Sequence, residues 1–138
     1  MMAIDWGRRR VGVAISDPTA TVARPLPTLD GSSPKRLVGE LAATASREEA
    51  ETIVVGLPMN MDGTEGESAI AARSMAASLV EKLPSVKLVF VDERLSSREA
   101  REILIEHGER ARKKSGRVDQ VAAALLLQIY LDSHEGTR

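Results

Sequence analysis

Three carboxylates occupy places that folding alone does not call for. Asp5 lies inside a short apolar run, AID, near the start of the chain. Glu93 follows the abrupt end of another, VKLVFV, and Asp119 opens the apolar stretch VDQVAAALLLQIYL. If that stretch is helical, Asp119 shares a face with Ala122, Ala123, Leu126 and Tyr130, which leans it toward buried surface. A buried carboxylate is costly unless it is paired or coordinated. Hard oxygen clusters suit magnesium or manganese, and two such ions about 4 Å apart activate a water and stabilise the leaving oxygen in phosphodiester hydrolysis. The expected arrangement has Asp5 as a bridging metal ligand and Glu93 and Asp119 as flanking ligands, the three together forming the catalytic set. Each acid also has a plain structural alternative: Asp5 as the flank of a turn, Glu93 as the start of a helix cap, Asp119 as a first-turn complement to the helix dipole. Asp92 competes with Glu93, because an all-apolar strand offers no alternation from which to read side-chain parity.

Composition narrows the chemistry further. There is no cysteine, and the two histidines stand far apart, so thiolate zinc sites and HExxH-type pairs are excluded and any metal must sit on oxygen. Nineteen basic against twenty acidic residues give a formal charge of −1, so global electrostatics would not draw the protein onto a polyanion. Local patches would have to do it. Arg8, Arg9 and Arg10 form one; Arg110, Arg112, Lys113, Lys114 and Arg117 form another, leading straight into Asp119. Arg9, Arg10, Arg94, Arg112, Lys113 and Lys114 are the candidate phosphate-binding residues, although each basic run by itself also reads as a solvated loop. Aromatic residues make up 2% of the chain, which leaves little material for base-stacking platforms and favours recognition by backbone and shape.

Positioning these groups requires a scaffold, and its elements are legible as periodicities. Residues 3–6 and 11–16 read as strands of a hairpin, and 22–29 as a third strand confined to an edge by Pro25 and Pro27. A helix follows from Ser33 and Pro34 to about Glu49, then a strand over 52–57 of the kind covered on both faces. Thr64 and Glu67 have capping-box spacing for a second helix that stops at Pro84. A strand over 86–91 precedes Ser96 and Glu99, a further capping box, with a helix to His107-Gly108. The basic segment 108–117 leads into a final apolar helix over 118–132. Hairpin strands first and βα units afterwards predict an α/β fold, a mixed sheet with helices on both faces, in one domain over 1–138. The start of the chain lacks a signal-peptide layout and the longest apolar stretch is too short to span a bilayer, so the expected location is the cytoplasm, with no membrane partner.

Four blocks carry a resemblance: AIDWGRRRVGVAISD, VVGLPMNMDGTEGESA, VDERLSS and DQVAAALLLQIYL, in that order and spanning nearly the whole chain. Together they resemble the signature blocks of the YqgF family, also called RuvX, a family of Holliday junction resolvases and pre-ribosomal RNA nucleases. The resemblance implies an RNase H-like fold, a bacterial cytoplasmic nuclease, and a catalytic triad of acids at Asp5, Glu93 and Asp119. It also implies that the GLPMNMDGTEG loop borders the site. Trp6, Arg9 and Ser96-Ser97 depart from the residues common in the family, and Trp6 leaves open how the first turn meets substrate. On resemblance, precursor 16S rRNA processing in ribosome biogenesis is the expected role and Holliday junction resolution the alternative. Two rivals of another class remain: a nucleotide-binding module, which on this fold resembles proteins that place ATP between two such domains, and a nucleic-acid-binding module without turnover.

Overall fold

The chain begins as a meander. Strands β1 (Met2–Asp5) and β2 (Arg10–Ser16) run antiparallel, pairing Met2 with Ile15 and Asp5 with Gly12. β3 (Ala23–Asp30) continues antiparallel on β2, with a register shift between Val11 and Val13. Proline cannot donate to a ladder, and with Pro25 and Pro27 in it β3 is the outer strand, as its sequence requires. The computed structural model describes residues 1–7, 9–92 and 118–133, of which 118–121 and 133 by backbone alone. The helix expected over 96–107 and the basic segment 108–117 lie outside the described residues.

The chain then crosses the sheet twice. Helix α1 (Pro34–Arg47) has Ser33 as N-cap residue and Pro34 in its first turn, and leads into β4 (Thr52–Leu57), parallel to β1 on the side away from β2. Helix α2 (Glu67–Lys82) leads into β5 (Lys87–Asp92), parallel to β4. The strand order is β3-β2-β1-β4-β5. Both crossover helices cover the same face: Leu37, Leu41, Met75 and Leu79 pack on Met2, Ile4, Val11, Val13, Ile53 and Val55. The final helix, α3 (Val118–Ser133), covers the other, where Ala123, Leu126, Leu127 and Leu131 meet Ala3, Ala14 and Val54. Central strands buried on both faces have no polar face to show, which is why 52–57 reads as a continuous apolar run. The small residues opposite α3 let a leucine-rich helix lie close to the sheet. No described helix is long and apolar enough to cross a membrane.

One expected start signal is corrected. α2 begins at Glu67 with Gly66 as N-cap, and no side chain caps it. Thr64 does not serve as the cap because its hydroxyl donates to Asp62 Oδ1 at 2.6 Å, inside a hairpin that the preceding loop forms with itself. That local bond competes directly with capping, a competition to which threonine is prone.

Candidate functional site

Asp5 is the last residue of β1, half-buried, and by strand alternation it shares Ala3's face, the one α3 covers. Its register partners on both sides are glycines: Gly12 on β2 and Gly56 on β4. Neither register partner therefore projects a side chain beside the carboxylate. The next residue, Trp6, turns to the opposite face and packs at the margin of the α1/α2 core, near Leu57 and Met59. Gly7 follows because the turn is tight: a Cβ there would stand 2.5 Å from the Arg10 carbonyl oxygen. Arg9 and Arg10 are exposed at this same end of the sheet, and the Gly31 N–H donates to the Arg9 carbonyl at 2.8 Å, anchoring the turn to the start of the α1 connection.

The direction of α3 decides where Asp119 goes. Near the end of that helix, Gln128 grips the turn between β2 and β3: its Oε1 accepts from Ala23 N at 2.9 Å and its Nε2 donates to Thr21 O at 3.0 Å. That turn lies beside the start of β1, where the chain's amino group donates to Ser16 Oγ. From Gln128 back to Asp119 the helix rises about 13 Å, while β1 spans about 10 Å from Met2 to Asp5. α3 thus runs opposite to β1, and its first turn, which contains Asp119, arrives at the Asp5 end of the sheet.

Asp92 does not join Asp5. In β5, Leu88 packs with the α1/α2 core and Val91 with the α3 side, and the Arg73 guanidinium of α2 lies 4.7 Å from the Phe90 ring centroid. Residues 88, 90 and 92 therefore share the α1/α2 face, opposite to Asp5. Glu93, Arg94, Arg112, Lys113 and Lys114 lie outside the described residues. Among the described residues no three acidic or histidine side chains cluster as a metal cage. Asp17 stands at the far end of β2, where its carboxylate takes Thr21 N and Val22 N at 2.7 and 2.8 Å and the Thr19 hydroxyl. The Thr19 bond chiefly, with the two backbone bonds, holds it down to about 2. It organises a turn and is remote from Asp5.

Just beyond β4 the GLPMNMDGTEG segment folds back on itself, a feature not foreseen from the sequence. Met59 pairs with Glu65, Asn60 N donates to Thr64 O at 2.9 Å, and Gly63 N to Asn60 O at 3.0 Å, with Gly63 at φ 90°. This is a small hairpin. Asp62 Oδ1 also accepts from Thr64 N at 3.0 Å, and Asn60 Nδ2 donates to Thr64 Oγ1 at 3.0 Å. The signal was the Asp62-Gly63 pair, a turn dipeptide.

Residues 1–133 match the model of the RuvX family, described as Holliday junction resolvase. The chain belongs to the RuvX family. Among its relatives, a protein of Anaeromyxobacter sp. (strain Fw109-5) is 44% identical over 131 residues, covering 95% of each chain. One from Opitutus terrae is 42% identical, over 95% of this chain and 90% of that one. Both carry the name of a candidate pre-16S rRNA nuclease. Beyond RuvX itself, the fold is that of the T. thermophilus RuvC in complex with a Holliday junction substrate, at a TM-score of 0.60 and 18% identity over 99% of this chain and 97% of that one. The Fowlpox virus resolvase in its complex with Holliday junction DNA is similar at a TM-score of 0.56 and 12% identity, over 96% and 98%. The RNase H-like sheet expected from the sequence is therefore the architecture observed.

Proposed function

We propose that this RuvX chain is a metal-dependent endonuclease that hydrolyses phosphodiester bonds in structured RNA, processing the 5′ end of precursor 16S rRNA in the cytoplasm, with residues 1–138 acting as one unit. The observation that carries this reading is Asp5, set between Gly12 and Gly56 on the α3 face, with the first turn of α3 arriving at the same end of the sheet. An oxygen donor flanked by bare backbone has room for a hydrated hard cation and for a phosphate behind it. Magnesium or manganese fits this donor set, held by Asp5, Glu93 and Asp119. When bound, such ions supply activation of the attacking water and stabilisation of the leaving oxygen. Asp92 lies on the opposite face, which favours Glu93 as the third ligand.

The remaining work falls to the cations and the backbone. Arg9 and Arg10, at the Asp5 end of the sheet, orient the phosphate chain together with Arg94, Arg112, Lys113 and Lys114. The names borne by the relatives support RNA as the substrate class. Junction DNA is the second reading, supported by the family's own description.

Cleavage of a precursor 16S rRNA fragment and a four-way DNA junction, side by side in magnesium and in manganese, tests this. The RNA should be cut, and Asp5→Asn, Glu93→Gln and Asp119→Asn should each abolish cutting while Asp132→Asn, at the far end of α3, leaves it intact. Cleavage that persists in chelator, or in the Asp5 variant, would overturn the assignment. Replacing Arg112, Lys113 and Lys114 together with alanine should flatten the salt dependence of RNA binding, by about 0.7 in slope for each phosphate no longer neutralised.

A further inference from the structure

The hairpin over 59–65 is built more firmly than a connecting loop needs to be. Asn60, Asp62 and Thr64 bind one another across it. Its base is braced twice. Met59 packs beside Trp6 on Leu57, Ala69 and Ala72. Glu65 holds the Arg73 guanidinium at 2.6 Å while Arg73 lies over Phe90, tying the hairpin to α2 and β5 at once. The Asn60 side chain lies against α2's N-terminus, where a Cβ on Gly66 would come within 3.2 Å of Asn60 Oδ1. At the tip of this braced structure Met61 is 87% exposed, the most exposed large hydrophobic among the described residues.

An apolar side chain exposed at the tip of a braced hairpin is placed to make a contact, and its position suggests with what. The hairpin leaves β4 one residue after Gly56, the register partner of Asp5, so it stands at the Asp5 end of the sheet, with its base on the α1/α2 side. The usual base-stacking residues are engaged elsewhere: Trp6 and Tyr130 pack against the cores and Phe90 lies under Arg73. A methionine is slender, unbranched and polarizable enough to enter a stack of bases, and apolar wedges of this type unstack base steps in other nucleic-acid complexes.

Resting on the nuclease reading above, we propose that the 59–65 hairpin is a wedge whose Met61 side chain inserts against the base stack of the structured RNA beside the scissile phosphate. The hairpin's rigidity means that little ordering is left to be done on binding, so the apolar contact is expressed as unstacking of the RNA. The wedge makes cleavage depend on how easily a base step opens, which gives selectivity for junctions between paired and unpaired RNA without reading sequence.

The test places 2-aminopurine at each nucleotide flanking the cut in a precursor 16S rRNA fragment, and the same probe at the centre of a four-way DNA junction. Fluorescence is read on adding full-length protein in calcium, and single-turnover cleavage is read in magnesium. Wild type should raise the signal at one position of the RNA. Met61→Ala should lose most of that rise and about fivefold in single-turnover cleavage efficiency, the ratio that about 1 kcal/mol makes. Met61→Leu should retain both, and Val80→Ala, an exposed apolar change at the other end of α2, should behave as wild type. The Leu variant, which keeps an apolar side chain of similar size at the tip, separates loss of the wedge from loss of the loop. A wild type that cuts the RNA without unstacking it, or a Met61→Ala that matches wild type in both readouts, overturns the wedge. A signal confined to the DNA junction overturns RNA as its occupant. A wild type that cuts neither substrate overturns the nuclease reading, and the wedge with it.

Discussion

At the scale of single residues, the meaning of an acid here comes from which face and which end of the sheet it occupies. Asp5 ends β1 and Asp17 follows the end of β2, but β1 and β2 are antiparallel, so they stand at opposite ends. Asp17 is the simpler of the two. Its carboxyl is held at about 2 against an ordinary 3.8 by the Thr19 hydroxyl first and then by backbone donors, so the folded state favours its charged form. A depressed folded-state value contributes stability that is fully present above 3.8 and is lost as pH falls toward 2. Asp17→Asn should therefore flatten the acid limb of a stability-against-pH curve in that window and leave its neutral limb parallel to wild type, as measured by urea melts at stepped pH. Glycines divide in the same way. A methyl at Gly56 would project beside Asp5, and Gly56→Ala should slow cleavage about a hundredfold, the penalty of a misplaced reacting group. Gly39→Ala, in α1 where a Cβ meets nothing within 4 Å, should leave cleavage alone and stabilise by about 0.5–1 kcal/mol. Asp119 in the first turn of the last helix was readable from sequence, whereas Asp5, expected inside a strand over 3–6, is the last residue of β1. The choice between Asp92 and Glu93 was not, because β5 is apolar on both faces. Parity came only from which core each side chain joins.

At the scale of elements, α3 carries the most consequence for the proposed site. It is the only described helix on its face of the sheet, and its Leu127 is fully buried over Ala3, Ala14 and Val54. Truncating such a leucine costs about 2–5 kcal/mol, the spread depending on how far the surroundings collapse. Leu127→Ala should lower the urea midpoint by a corresponding amount. Because in the proposed site α3 carries Asp119 to the Asp5 end of the sheet, the same variant should lose cleavage at denaturant concentrations where it is still folded. Equal loss of activity and fold would mean that the helix serves stability alone. Strand and helix periods were strong enough to be read ahead for most elements, including an edge strand marked by two prolines. The start of α2 was misread because Thr64 has capping-box spacing on paper. Its hydroxyl is committed to Asp62, and a one-dimensional pattern cannot tell which of two nearby acceptors a threonine will choose.

At the scale of the whole molecule, the order of hairpin strands before βα units was enough to foresee a mixed sheet with helices on both faces, since few topologies satisfy that order. The proposed site would have a cost that the entire fold must bear. Carboxylates gathered within a few ångströms oppose one another's ionisation, so with Asp5, Glu93 and Asp119 brought together as proposed the metal-free folded state would carry a repulsion that the unfolded chain lacks. Removing one charge relieves it, and sites strained for function commonly gain stability when simplified in this way. Asp5→Asn and Asp119→Asn should each melt at a higher temperature than wild type in chelator. Manganese binds the folded state and stabilises wild type by mass action, so the gap should close as manganese is added. A purely structural Asp119 predicts the opposite sign, because losing a first-turn acid removes about 0.3–1 kcal/mol of interaction with the helix dipole whether or not metal is present. Thermal melts of the three proteins, each in chelator and in manganese, separate these outcomes. An Asp119→Asn protein that is less stable than wild type and indifferent to manganese would remove that residue from the metal site while leaving the assignment of Asp5 to its own melt.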